Sequence, residues 1–208
     1  MKSTKLKKSF YQRDTTLVAR ELLGKRLVHV VNGERLSGII TETEAYLGVI
    51  DRGAHTFGNK RTKRTETMYL PGGHSYVYLI YGMYDCLNVV TQKKDIPEAV
   101  LIRALQPDEG LKTMAKARKQ KSFDPKNKKH LWSLTTGPGK LAQALKINRH
   151  HNELLFTDEE LFIEDIKMKI NSSDIIASPR VGIDYAQEAK HWELRFTIRD
   201  NFFISRKP

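Results

Sequence analysis

A single cysteine, Cys86, rules out an internal disulfide and leaves no thiolate pair for a metal cluster. Long apolar runs are missing too. No uncharged stretch approaches the ~18 residues of a membrane span, and no apolar core follows the basic start Met-Lys-Ser-Thr-Lys-Leu-Lys-Lys, so no signal peptide is expected. The expected address is the cytoplasm, at the nucleoid if the cell is bacterial. No P-loop spacing is present, and no spaced His-Glu pattern accompanies His150-His151, so neither nucleotide hydrolysis nor a resident metal or cofactor is expected.

What is abundant is positive charge. The 208 residues carry a formal net charge of +12, with 39% hydrophobic and 29% charged residues. The excess is concentrated in residues 2–13, 60–64 and 112–129, while the rest of the chain is slightly acidic. Cations gathered into a few segments fit a binder of polyanions. The length suits one domain, with a basic N-terminal segment, 1–13, ahead of a single domain, 14–208.

Asp14-Thr-Thr supplies N-cap groups and Gly24 a C-terminal stop, which predicts a helix over 15–23. Strands are predicted over 25–31 and 35–44, joined at the hairpin signal Asn32-Gly33. Alternation puts Ile40, Glu42 and Glu44 on one strand face, with the carboxylates roughly 7 Å apart. Same-face carboxylates suit a general acid and base pair of the kind sugar hydrolases use. After Tyr46 comes a long glycine-punctuated loop holding His55 and ending in Lys60, Arg61, Lys63 and Arg64; such loops tend to be functional.

Residues 75–81 and 86–91 read as two strands whose connecting tip carries Tyr81, Met83 and Tyr84. Large aromatics at the tip of a basic protein suit stacking on nucleic-acid bases. Asn88 is a polar amide inside an apolar strand, so it needs a partner or a pocket. Arg103 interrupts the apolar strand 99–105 and needs an anion, for which Glu42 and Glu44 are the candidates. A helix is predicted over 109–121, a solvated linker over 121–129, and a glycine-rich approach, Thr135 to Lys140, into a compact helix. Strand 161–164, a turn or strand edge at Arg180-Val-Gly-Ile, and a final hairpin of 193–198 with 202–204 complete the chain.

Glu42-Thr-Glu-Ala-Tyr-Leu-Gly48, Ala54-His55, Arg64 with Met68, Tyr76 to Tyr84, Cys86-Leu-Asn88, Leu101 to Leu105, Gly137-Pro with Lys140-Leu, and Arg180-Val-Gly182 occur in order along the chain. In this set the sequence resembles the alkyladenine (3-methyladenine) DNA glycosylase family. The resemblance implies an α+β fold: a single domain with a curved antiparallel β-sheet, a protruding β-hairpin and surrounding helices. It also implies a monomeric, monofunctional enzyme that flips a damaged purine from double-stranded DNA and hydrolyses its N-glycosidic bond. The damaged purine would be of the 3-methyladenine, 7-methylguanine, hypoxanthine or ethenoadenine type.

By that resemblance Glu44 is the general base, and Arg103 with the Val181 carbonyl holds the water. Tyr46 and His55 enclose the base, Tyr78 closes the pocket, and Asn88 rejects guanine. Tyr81 fills the gap in the stack, while Met83, Tyr84, Arg61, Arg64, Met68 and Lys140 are expected on the DNA face. Lys63, Thr65 and Asp85 depart from the pattern on that face. The alternatives are a non-catalytic nucleic-acid-binding module, and a sugar hydrolase using Glu42 with Glu44.

Overall fold

The computed structural model describes residues 4–208; residues 1–3 of the basic N-terminal segment lie outside them. In chain order the described residues form β1 (Thr4–Lys5), α1 (Lys8–Tyr11), α2 (Thr15–Glu21), β2 (Arg26–Val31), β3 (Glu34–Tyr46), β4 (Ser75–Ile80), β5 (Tyr84–Val90), β6 (Ala99–Glu109), α3 (Leu111–Ala117), α4 (Lys128–Thr135), α5 (Pro138–Ala144), β7 (Leu161–Asp165), β8 (Ile175–Ser178) and β9 (Arg195–Ile198). The strands join in one antiparallel sheet of order β1-β7-β2-β3-β6-β5-β4. The pair β8-β9 is attached along the far half of β3, beyond the end of β2. The sheet curls, and the molecule is a single α+β domain, as the family resemblance implies. No helix among the described residues is long and apolar enough to cross a membrane.

Local chemistry explains most element ends. Asp14 caps α2 by accepting the Leu17 N–H at 2.8 Å. Asn32 and Gly33 take φ of 51° and 79°, as the tight turn between β2 and β3 requires. The expected helix over 109–121 is shorter because β6 continues to Glu109 and Gly110 turns left-handed at φ 74°. A Cβ at Gly110 would lie 2.4 Å from Leu36 Cδ2, so only glycine fits this corner. The expected linker over 121–129 ends in α4, whose N-cap Asn127 accepts the Lys129 N–H at 2.9 Å.

The C-terminal hairpin is a correction. Strand β9 pairs with β3 on one edge and β8 on the other, so residues 202–204 find no open edge. They cross β3 instead, where Thr41 Oγ1 donates to the Phe203 carbonyl at 2.5 Å.

One face of the sheet carries the main core, in which Leu36, Ile40, Ala45, Val77, Leu87, Val89, Val100, Ile102 and Leu105 pack with residues of α2 to α5. The expected alternation fails within β3 and β6, and the failure shapes the other face. The β3-β6 register passes from Ile40↔Leu105 to Glu42↔Ala104 and then to Thr43↔Ile102, skipping Thr41 on one strand and Arg103 on the other. A skipped residue exchanges the faces of all that follow. Ile40 and Ala45 therefore both point into the core, and Ile40 does not share a face with Glu42 and Glu44. The paired bulges turn Glu42, Glu44 and Arg103 together onto the face opposite the helices.

Candidate active site

That face forms the floor of a cavity of about 630 Å³. The parity of the strands selects its walls: Tyr76 and Tyr78 from β4, Cys86 and Asn88 from β5, Leu101 and Arg103 from β6, and Tyr46 from the end of β3. The loop after β3 adds His55, the turn after β8 adds Val181 and Gly182, and the start of α5 adds Lys140 at one end.

Glu44 is fully buried directly behind these walls. Three lining residues hold its carboxylate: Val181 N–H donates to Oε1 at 2.8 Å, while Tyr46 O–H and Arg103 Nη1 donate to Oε2 at 2.9 and 3.4 Å. The Val181 group that meets the carboxylate is its amide, where the sequence reading placed a role for its carbonyl. Burial and the adjacent carboxylate push the Tyr46 hydroxyl well above its usual pKa, so it stays a proton donor to Glu44.

Glu42 has a different situation. Its Oε1 accepts from Arg103 Nε at 3.1 Å, Arg195 Nε at 2.7 Å and Ser205 Oγ at 2.9 Å, and its Oε2 from Ser205 N at 2.6 Å. A carboxylate so fully occupied anchors two arginines and the C-terminal segment, and it does not line the cavity. This removes the basis for the paired-carboxylate sugar hydrolase, which needs a second acid with a proton to move.

The turn that delivers Val181 is fixed by an ion pair that periodicity does not reveal. Arg180 and Asp51, both fully buried in their side chains, meet through two bonds of 2.5 and 2.7 Å. Arg180 also donates to the carbonyl of Ala45, beside Glu44, and lies over the Tyr46 ring, 4.7 Å from its centroid. The side of Tyr46 that meets a partner here is thus covered by a guanidinium.

His55, Tyr76 and Tyr78 form an aromatic cluster. The His55 and Tyr78 rings are 4.6 Å apart, edge to face, and His55 Nδ1 lies 2.9 Å from the Tyr76 hydroxyl. Burial, with Arg64 and Lys60 nearby, lowers the His55 pKa to about 4, so the ring is neutral at pH 7. Tyr76, which alternation places beside Tyr78, was not singled out from sequence. Asn88 is 4% exposed and donates from Nδ2 to the Tyr76 carbonyl at 3.0 Å.

At the rim of the cavity, the β4-β5 hairpin exposes Tyr81 by 77% and Met83 by 71%, with Tyr84 also exposed; Tyr81 and Tyr84 both border the opening. Tyr81 adopts φ 52°, a left-handed conformation that costs a non-glycine residue about 1–2 kcal/mol. Arg64 lies over the Tyr78 ring at 5.2 Å and has no carboxylate partner among the described residues. Lys140 lies over Trp132 at 4.7 Å.

Two of the expected DNA contacts have protein partners of their own. Met68 is only 2% exposed and lines the cavity, packed with Tyr76 and Tyr78, because its short 3₁₀ turn, Glu66–Tyr69, directs it inward. Arg61 is surface-exposed but bound to Glu66 at 2.5 and 2.9 Å and to Asp95 at 3.2 Å. Of the departures from the family pattern, Asp85 lies 3.6 Å from Arg149, and Thr65 Oγ1 closes its own loop on the Thr62 N–H and the Lys60 carbonyl. Arg118, which no sequence motif signals, also lines the cavity, with its buried Nε unpartnered among the described residues.

Residues 9–202 match the family model described as methylpurine-DNA glycosylase. Among similar chains, one from Clostridium acetobutylicum is 51% identical over 97% of both chains. One from Alkaliphilus oremlandii is 48% identical over 98% of this chain and all of its own. A third, from Bacillus cytotoxicus, is 48% identical over 95% of this chain and 97% of its own. All three are provisionally named 3-methyladenine DNA glycosylases.

Proposed function

Because the chain belongs to the methylpurine-DNA glycosylase family of DNA-repair enzymes, we propose that it extrudes a damaged purine from duplex DNA into the cavity and hydrolyses the N-glycosidic bond with water activated by Glu44. The observation that carries this reading is a buried carboxylate, held by Tyr46, Arg103 and Val181, behind an aromatic cavity beside an exposed hairpin.

Extrusion costs a few kcal/mol of unstacking, least for a damaged or mispaired base. Tyr81, displayed at the hairpin tip, would fill the vacated stack. Tyr46, His55 and Tyr78 would receive the base, and a neutral His55 accepts a cationic alkylated purine without charge repulsion. Asn88 would disfavour normal guanine by conflict with its amino group, a penalty that the cationic, more labile 7-methylguanine can overcome. As the glycosidic bond of an alkylated purine breaks, the electron pair stays with the purine and discharges its positive charge; a neutral purine instead takes up a proton as it leaves. The sugar becomes positive, and the Glu44 carboxylate stabilises it while accepting a proton from the attacking water. Free base and an abasic site result. The range of bases would be 3-methyladenine, 7-methylguanine, hypoxanthine and ethenoadenine.

The test is release of free base from alkylated, hypoxanthine and ethenoadenine duplexes by wild type and Glu44→Gln. The expected result is release by wild type and its loss in Glu44→Gln with DNA binding retained. Salt-dependent binding without release from any lesion would assign a binding module instead. Monofunctional chemistry predicts that borohydride traps no protein–DNA adduct. A trapped adduct lost in Lys140→Met would identify an amine nucleophile.

A further inference from the structure

On the helical side of the sheet, remote from the cavity, three groups converge from distant parts of the chain. We propose that His29, His151 and Glu160 form a binding site for a divalent transition-metal ion of the zinc class, through the two imidazole Nε2 atoms and a carboxylate oxygen.

The geometry is specific. The three ligand atoms lie within 4.8 Å of one another, with Glu160 Oε1 at 3.9 Å from His29 Nε2 and 3.7 Å from His151 Nε2. These gaps are too long for hydrogen bonds. The two Glu160 edges are slightly wider than the ~3.3 Å edges of a tetrahedron with zinc–ligand bonds of about 2.0–2.1 Å, and the imidazole–imidazole edge is within 4.8 Å, so metal binding requires the side chains to draw together. The backbone sets the separation. Strand pairing opposes His29 to Leu161, and Val30 N–H donates to the Glu160 carbonyl at 2.8 Å.

The hydrogen atoms point to the same conclusion. His29 Nδ1 lies 2.6 Å from the Leu145 carbonyl, so it must carry the proton there, and Nε2 then presents a lone pair. That lone pair faces the Glu160 carboxylate, and acceptors facing one another call for a cation between them. His29 is 3% exposed, which disfavours meeting the need by protonating the ring. His151 Nδ1 accepts the Asn148 N–H at 3.1 Å in a capping box and lies 3.1 Å from the Asn148 carbonyl too, so metal binding at Nε2 would select the tautomer that donates from Nδ1 to that carbonyl. Histidines whose Nδ1 is held by a carbonyl are oriented as metal ligands usually are. Two imidazoles with one carboxylate select a borderline first-row ion over magnesium or calcium.

Such an ion would brace the wedge hairpin from behind. The His151 carbonyl accepts Ser75 Oγ at 2.5 Å and Asn152 Oδ1 accepts Val77 N–H at 2.9 Å, so this segment already supports β4. Metal binding would clamp it to β2 and β7.

The test is titration of the chelator-treated full chain with Co²⁺, read by its visible d–d bands, and with Zn²⁺ by calorimetry and thermal melting. One equivalent bound, intense tetrahedral Co²⁺ bands and a Zn²⁺-dependent rise in Tm are expected. Glu160→Gln changes an exposed side chain, so it should leave the metal-free Tm unaltered while weakening binding by about tenfold or more. His151→Ala should lose the Co²⁺ bands, and His150→Ala should retain them. Absence of stoichiometric binding, or wild-type affinity in both Glu160→Gln and His151→Ala, overturns the proposal.

Discussion

Val181 donates its backbone N–H to Oε1 of Glu44 at 2.8 Å across 137 positions of sequence. A backbone donor cannot be removed by mutation, but its support can. The Arg180–Asp51 pair holds the turn, and both side chains are completely buried. Arg180→Met strands a buried carboxylate and should cost about 3–5 kcal/mol of stability. Combining it with Asp51→Asn removes the stranded charge and should recover part of that loss without restoring base release. Urea denaturation and single-turnover release, measured side by side, check this. A double variant that releases base at the wild-type rate would remove the positioning role.

Glu42 and Glu44 separate by what each substitution damages. Glu42→Gln leaves Arg103 and Arg195 without their shared carboxylate, so thermal melting should show a loss of several kcal/mol. Glu44→Gln should lower base release by about 10²–10⁴-fold, the usual share of a general base, with a smaller change in Tm. Equal losses of release at a temperature where both variants are folded would restore Glu42 to the chemistry.

The same two residues mark how much was legible in the sequence. Glu44, Tyr46 and His55 lie near one another in the chain, and the motif and apolar strand around Arg103 identified its need for an anion. The distinction between the carboxylates depends on Ser205, Arg195 and Val181, and no local pattern connects these to residue 42 or 44. Alternation placed Ile40 beside Glu42 because a period of two carries no sign of the bulges at Thr41 and Arg103. Residues 202–204 resemble a strand in composition, yet both edges of β9 were already taken, which only the assembled sheet decides.

Tyr81 combines exposure with a left-handed backbone, so its ring contributes little to folding. Tyr81→Gly should hold or raise Tm, since glycine relieves about 1–2 kcal/mol of strain against its own entropy cost. The same change should slow release from a fully paired duplex by about tenfold or more while affecting a mispaired lesion less, because mispairing lowers the extrusion cost. Equal slowing on both substrates would remove the wedge assignment.

Arg61 and Arg64 differ by three positions but not in sign or type, and their partners predict unequal effects. Arg61 is held by Glu66 and Asp95, whereas Arg64 lies over Tyr78 without a carboxylate partner among the described residues. Arg64→Ala should weaken DNA binding and reduce the slope of log K against log salt by about 0.9, the value for one phosphate contact. Arg61→Ala should change that slope less. Fluorescence anisotropy across a salt series distinguishes the two, and equal slopes would place the phosphate path elsewhere.

His55 links the cavity to pH. Its folded pKa of about 4 lies below the ordinary 6.5, so in that interval the unfolded chain binds more protons than the folded one. Its contribution to stability is therefore complete above pH 6.5, lost progressively between 6.5 and about 4, and constant below. The shift corresponds to about 3 kcal/mol, an order-of-magnitude figure at 1.36 kcal/mol per pH unit. Wild type should thus lose more stability than His55→Gln between pH 7 and 4 in urea denaturation. Protonation would also put a cation against a cationic purine, so release of 3-methyladenine should fall as pH drops towards 4, and fall less for a neutral purine. An NMR titration placing the folded His55 pKa near 6.5 would remove both effects at once.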